Sequence, residues 1–140
     1  GKPGALYLLS VPGEQGENIQ KPFAPPRYFQ HPNHIRIFSK DDFLSLVEKA
    51  GLEVVDYSGH GFFWVFWMCM NWAIEAQKYK DVAAPDIPVR DTIAPPFDES
   101  IQNWATLWVK LISTEQGMAF KHQMDALLPK SQVIIARKPA

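Results

Sequence analysis

Apolar residues gather in a few segments of this chain, separated by stretches rich in proline and glycine. Ala5–Val11 is a short apolar run without strict alternation, bounded by Gly4 and by Pro12-Gly13. Such a run predicts a strand buried on both faces, the pattern of a parallel sheet. Prolines at 12, 22, 25, 26 and 32 interrupt any periodicity from Pro12 to Phe38, which predicts a long loop. Ser39-Lys40-Asp41-Asp42 then has the form of a helix N-cap, with a hydroxyl to accept from free backbone amides and carboxylates to complement the helix dipole. Phe43, Leu46, Val47 and Ala50 follow at i, i+3, i+4 and i+7, one apolar stripe, and Gly51 is placed to cap the end. Leu52–Tyr57, with Val54 and Val55, predicts a second strand.

Beyond Gly59-His60-Gly61, the segment Phe62–Lys80 predicts a helix that is apolar nearly all round in its first half and polar toward its end. Asp81–Asp98, with Pro85, Pro88, Pro95 and Pro96, predicts a second irregular connection. A helix near Glu99–Thr114 would place Ile101, Trp104, Ala105, Trp108, Leu111 and Ile112 on one face and Gln102, Asn103, Thr106 and Lys110 opposite. Residues 118–128 predict a further short helix before Pro129, and Gln132–Arg137 a last strand. The order of elements is that of an α/β domain. The Phe62–Trp72 half of the first of these helices is expected to pack on the Trp104–Ile112 face as a helical cap over the C-terminal edge of the sheet.

A chain of 140 residues holds one domain or part of one. Its formal charge of -1 gives no field to draw a polyanion, so binding to nucleic acid by bulk charge is disfavoured. The lone Cys69 forms no internal disulfide and reads as a small buried hydrophobe, which suits a reducing compartment, the cytoplasm by default. Gly1-Lys2-Pro3-Gly4 resembles neither a translation start nor a signal peptide, so residues upstream are expected. The apolar run Phe62–Ile74, interrupted by Asn71, is shorter than the roughly 20 residues that span a bilayer.

Three segments in order resemble the C-terminal half of S-adenosylmethionine-dependent methyltransferases of Rossmann-like fold, of the type 11 kind. They are Lys2–Pro12, His34–Ser39 leading through Ala50–Val55, and Gln132–Pro139. The resemblance implies an α/β sheet of three strands, the last antiparallel between the other two, with inserted helices forming a cap over about 60–128. It implies S-adenosylmethionine as cofactor and a small-molecule or lipid-like methyl acceptor. The family holds its cofactor on a glycine-rich turn and an acidic residue in the other half of the fold, so no cofactor-binding residue carries over, and this chain alone is expected to be inactive. Gly13–Gly16 is too short for a cofactor fingerprint and reads as a flexible turn running into the loop.

The Val11–Arg36 loop leaves the C-terminal edge of a strand, where open α/β sheets place ligands. His34 is the candidate general base, since an imidazole near neutrality can take a proton from a hydroxyl or amine; anchoring the loop is its plainer role. His31 and His34 together lack the third ligand of a zinc site, so no metal is expected. Arg36 could bind an acidic substrate group or pair with Asp41 or Asp42. His60 between its glycines and Trp64 in the aromatic run are the other substrate-binding candidates. Glu14 and Glu17 could serve as bases, but nothing in the sequence perturbs them, and they read as solvated loop carboxylates. Phe62, Phe63, Trp64, Phe66, Trp67 and Trp72 demand burial, in the core, as a lid over an apolar substrate, or against a membrane surface or a second copy of the chain. The competing reading is a non-catalytic protein- or membrane-interaction module on an incomplete α/β core.

Overall fold

The computed structural model describes residues 1–78, 80 and 95–140. Strand β1 (Leu6–Pro12) is followed by helix α1 (Glu14–Gln20), a 3-10 turn (Pro26–Phe29) and helix α2 (Lys40–Lys49). Strand β2 (Glu53–His60) then leads to α3 (Phe62–Lys78), α4 (Glu99–Ile112), α5 (Glu115–Leu127) and the last strand, β3 (Ser131–Arg137). The irregular connection expected over Asp81–Asp98 lies largely outside the described residues.

The strands make one sheet in the order β1-β3-β2. β3 is antiparallel to both neighbours, with Leu9 opposite Ile134 on one side and Tyr57 opposite Ile134 on the other. β1 and β2 therefore run the same way, separated by the reversed strand, the arrangement that the methyltransferase resemblance implies. Their C-terminal ends and the start of β3 meet at one edge, where Pro12 and His60 both pair with Ser131.

Helix α2 forms because Ser39 Oγ accepts the Asp42 amide at 3.1 Å and Gly51 takes a φ of 75° where the chain leaves the helix. Its Phe43 and Val47 pack on Ile134 and Ala136 of β3, joined by Leu9, Val11, Val54 and Tyr57. Leu46 and Ala50, expected on the same stripe, stay exposed because only the Phe43–Val47 side meets the sheet. Buried Gln132 ties this layer together: its amide donates to the Phe38 carbonyl at 2.7 Å and its oxygen accepts from Tyr57 at 3.0 Å.

β1 departs from the two-sided burial its composition suggests. Leu9 and Val11 face the α2 core, whereas Leu6 and Leu8 are 63% and 75% exposed. An unalternating apolar run is ambiguous between the two arrangements, because burial on each face depends on which elements come to cover it.

Residues 14–20 and 26–29, expected as loop, are helical. α1 escapes a hydrophobicity reading because the residues it buries are Gly16, Glu17 and Gln20. Gly13–Gly16 is accordingly a helix start and not a flexible turn. Both glycines lie against the Pro129 carbonyl, where a Cβ would collide, and this contact docks α1 on the segment entering β3.

The helical layer is built on aromatic contacts between α3 and α4. Phe62 meets Trp108 with ring centroids at 5.7 Å, Phe63 stacks on Trp104 at 6.4 Å, and Phe66 meets Trp104 at 4.8 Å. Trp67, Met68, Trp72 and Ile101 form its buried centre, and each such side chain contributes on the order of 1.5–3 kcal/mol on burial. The start of α3 is held from outside the helix. Asp125 of α5, itself buried, accepts the Gly61 and Phe62 amides at 3.0 and 2.8 Å and pairs with Lys121. No helix among the described residues is long and apolar enough to cross a membrane.

Candidate functional site

The edge where β1 ends and β3 begins carries a buried polar cluster contributed by four separate segments. α1 brings Glu17 and Gln20, the 3-10 turn brings Tyr28, the loop before α2 brings His34, and Lys130 stands immediately before β3. The Gly13 amide donates to the Lys130 carbonyl at 2.8 Å, which fixes the start of α1 against the start of β3. From there one face of α1 presents Glu17 and Gln20 inward. Neither has any exposed surface.

Lys130 organises the cluster. Its ammonium donates to a Glu17 carboxylate oxygen, to Gln20 Oε1 at 2.8 Å and to the Tyr28 hydroxyl, so each of its N–H bonds has an acceptor. Burial pushes the Lys130 ammonium below the ordinary lysine range, and the Glu17 carboxylate draws it part of the way back. Glu17 gives its second oxygen, Oε2, to His34 Nδ1 at 2.8 Å. One carboxylate thus satisfies a lysine on one side and a histidine on the other, as a fully buried charge requires. This corrects the expectation of a solvated Glu17.

Aromatic rings close the cluster on the α3 side. Tyr28 lies against His34 at a centroid distance of 4.4 Å and edge-on to Trp72 at 5.0 Å. Burial, then the nearby Glu17 and Cys69, push the Tyr28 phenol far above its ordinary range, so it stays a neutral hydroxyl. Gln20 Nε2 donates to Met68 Sδ at 3.4 Å. Burial likewise raises the Cys69 thiol, against the opposing pull of Lys130, which keeps it protonated and makes it a poor nucleophile.

Of the catalytic and substrate-binding candidates named from sequence, His34 lies inside this cluster, beside Glu17. The His34 side chain is 28% exposed, and its Nδ1 meets buried Glu17 at 2.8 Å. Trp64 is 52% exposed, and its ring and the Lys130 stem both come within 4 Å of where a Gly61 Cβ would stand. Arg36 is exposed and stacks over the Phe38 ring at 4.6 Å, while Asp42, one of its expected partners, accepts from Ser39 at 2.9 Å. His60 is not in a glycine turn; it is the last residue of β2, and its Nε2 meets Ser58 Oγ at 2.8 Å on the surface.

Glu17, Gln20, Tyr28 and Lys130 were not recognisable as a unit from sequence. The available signal is the spacing of Gly13, Gly16, Glu17 and Gln20 at i, i+3, i+4 and i+7, one helix face made of small and polar residues. Among the described residues no group of three or more His, Cys, Asp or Glu side chains is arranged to hold a metal ion.

Two glycine-bearing strand-to-helix turns lie at this edge: after β1, Gly13 and Gly16 are closed against Pro129 and the Gly13 amide donates to the Lys130 carbonyl, while after β2 the Gly61 and Phe62 amides donate to Asp125. No family model, no curated protein and no solved structure matches this chain.

Proposed function

We propose that this chain is the acceptor-side portion of a cytoplasmic, Rossmann-like methyltransferase that uses S-adenosylmethionine and acts on a small-molecule or lipid-like acceptor. The observation that carries the reading is the position of His34. It stands partly exposed at the edge where parallel β1 and β2 end, the edge at which open α/β sheets take ligands, and it is braced by a buried carboxylate. The reversed β3 between β1 and β2 supports the fold resemblance. S-adenosylmethionine, when bound, supplies an electrophilic methyl group, and the residues that hold it belong to a part of the fold beyond those described. The contribution of this chain is to orient the acceptor and take up its proton at His34.

The test uses the product of the whole gene, incubated with S-adenosylmethionine and a panel of hydroxyl- and amine-bearing acceptors, with products read by mass spectrometry. Methylated product is expected. His34→Ala should lower its formation about 100-fold without changing affinity for S-adenosylmethionine in calorimetry. Absence of both product and affinity refutes the proposal.

An interaction module is the second reading, favoured by Leu6 and Leu8 on the uncovered sheet face and by half-exposed Trp64 and Phe66. Self-association in sedimentation velocity, or co-sedimentation with liposomes, combined with no transfer activity would favour it.

A further inference from the structure

We propose that Glu17 is a positioning residue that fixes the tautomer of His34, leaving Nε2 as the proton-accepting atom. The inference rests on the reading of His34 as a base but concerns a residue that reading does not use.

Lys130 directs its N–H bonds at Glu17, Gln20 and Tyr28, an arrangement that needs the full ammonium. The Glu17 carboxylate, ion-paired with that ammonium, can only accept. His34 Nδ1, 2.8 Å from Glu17 Oε2, must therefore carry the hydrogen of that contact. In the neutral ring the lone pair then sits on Nε2, at the opposite edge from Glu17. The ring has little freedom to turn, since Tyr28 lies against it at 4.4 Å and the His34 backbone amide donates to the Tyr28 carbonyl at 3.1 Å. A base of this kind serves an acceptor that must lose a proton. It points to a hydroxyl or an amine and away from a carboxylate, which needs no base.

The geometry makes a sharp statement about Glu17→Gln. Lys130 still demands an acceptor, so it takes the amide oxygen and turns the amide NH2 toward His34 Nδ1. The ring must then accept at Nδ1 and place its hydrogen on Nε2, which inverts the tautomer. Long-range proton–nitrogen NMR of the 15N-labelled full chain reads this directly. The expected result is the Nδ1–H form in the native chain and the Nε2–H form in Glu17→Gln.

A native His34 carrying its hydrogen on Nε2, or mixing both forms as a free imidazole does, overturns the proposal without any variant. An unchanged tautomer in a folded Glu17→Gln overturns it as well. With the whole gene product, Glu17→Gln should lower kcat about 100-fold while KM for S-adenosylmethionine is unchanged. The fixed tautomer without methyl transfer leaves the positioning role standing and defeats the methyltransferase reading. Transfer at an undiminished kcat in Glu17→Gln does the reverse.

Discussion

Replacing Lys130 with Met should be among the most damaging single changes in this chain, although it substitutes an unbranched side chain of similar length. Glu17 has no exposed surface and the Lys130 side chain only 16%. Among the described residues, the change leaves a buried carboxylate with His34 as its side-chain donor, and it strips Gln20 Oε1 and the Tyr28 hydroxyl of their lysine bond. Breaking a buried ion pair from one side costs about 3–5 kcal/mol, because the surviving charge keeps its desolvation penalty and loses its compensation. His34 continues to donate, so the low end applies, about 3 kcal/mol. In a domain of this size that is a fall in Tm of about 10 °C.

The double variant Glu17→Gln/Lys130→Met removes both charges and should be at least about 1 kcal/mol milder than the sum of the single variants. Urea and thermal unfolding followed by tryptophan fluorescence would measure all members of the cycle. If Lys130→Met loses less than about 1 kcal/mol, the value of an exposed surface pair, the cluster is not the buried charge network described above.

Asp125→Ala removes the acceptor of the Gly61 and Phe62 amides and the partner of Lys121; a loss of about 2 kcal/mol is expected in urea unfolding, against a smaller loss for Asp125→Asn, which keeps an oxygen in place. Tyr28 is held protonated by burial and by the neighbouring Glu17 and Cys69, whereas in the unfolded chain it ionises near its ordinary value of 10.0. The folded state therefore holds more protons above that pH, and the stability from this source, fully present below it, is lost as pH rises past about 10. Lys130 acts with the opposite sign below its ordinary value of 10.5, so the Tyr28 share is identified by variant: Tyr28→Phe should make the alkaline fall in unfolding free energy shallower and remove a late-ionising phenol from the ultraviolet titration.

Local chemistry was enough to place most of the secondary structure. The Ser39 cap, the Phe43 and Val47 spacing and Gly51 mark α2 because the forces that start, bury and end a helix act within a few residues. The aromatic faces of α3 and α4 were legible for the same reason, and so was the existence of three strands. His34 stood out as a candidate because histidine chemistry near neutral pH is visible in the residue itself.

What tertiary structure decided is which polar groups are buried and whom they meet. Glu17 and Lys130 are 113 positions apart, and the helical spacing of Gly13, Gly16, Glu17 and Gln20 does not name the partner that lets the glutamate lie inside. α1 is a helix because Gly13 and Gly16 let it press against Pro129, a contact made only once β1 and β3 lie side by side. That approach carries Glu17 out of water, and the same pairing of strands delivers Lys130 to it. A hydrophobic pattern records the preference of a side chain for water, whereas the burial of a charge depends on a partner supplied by a distant segment, so this part of the site exists only in the folded chain.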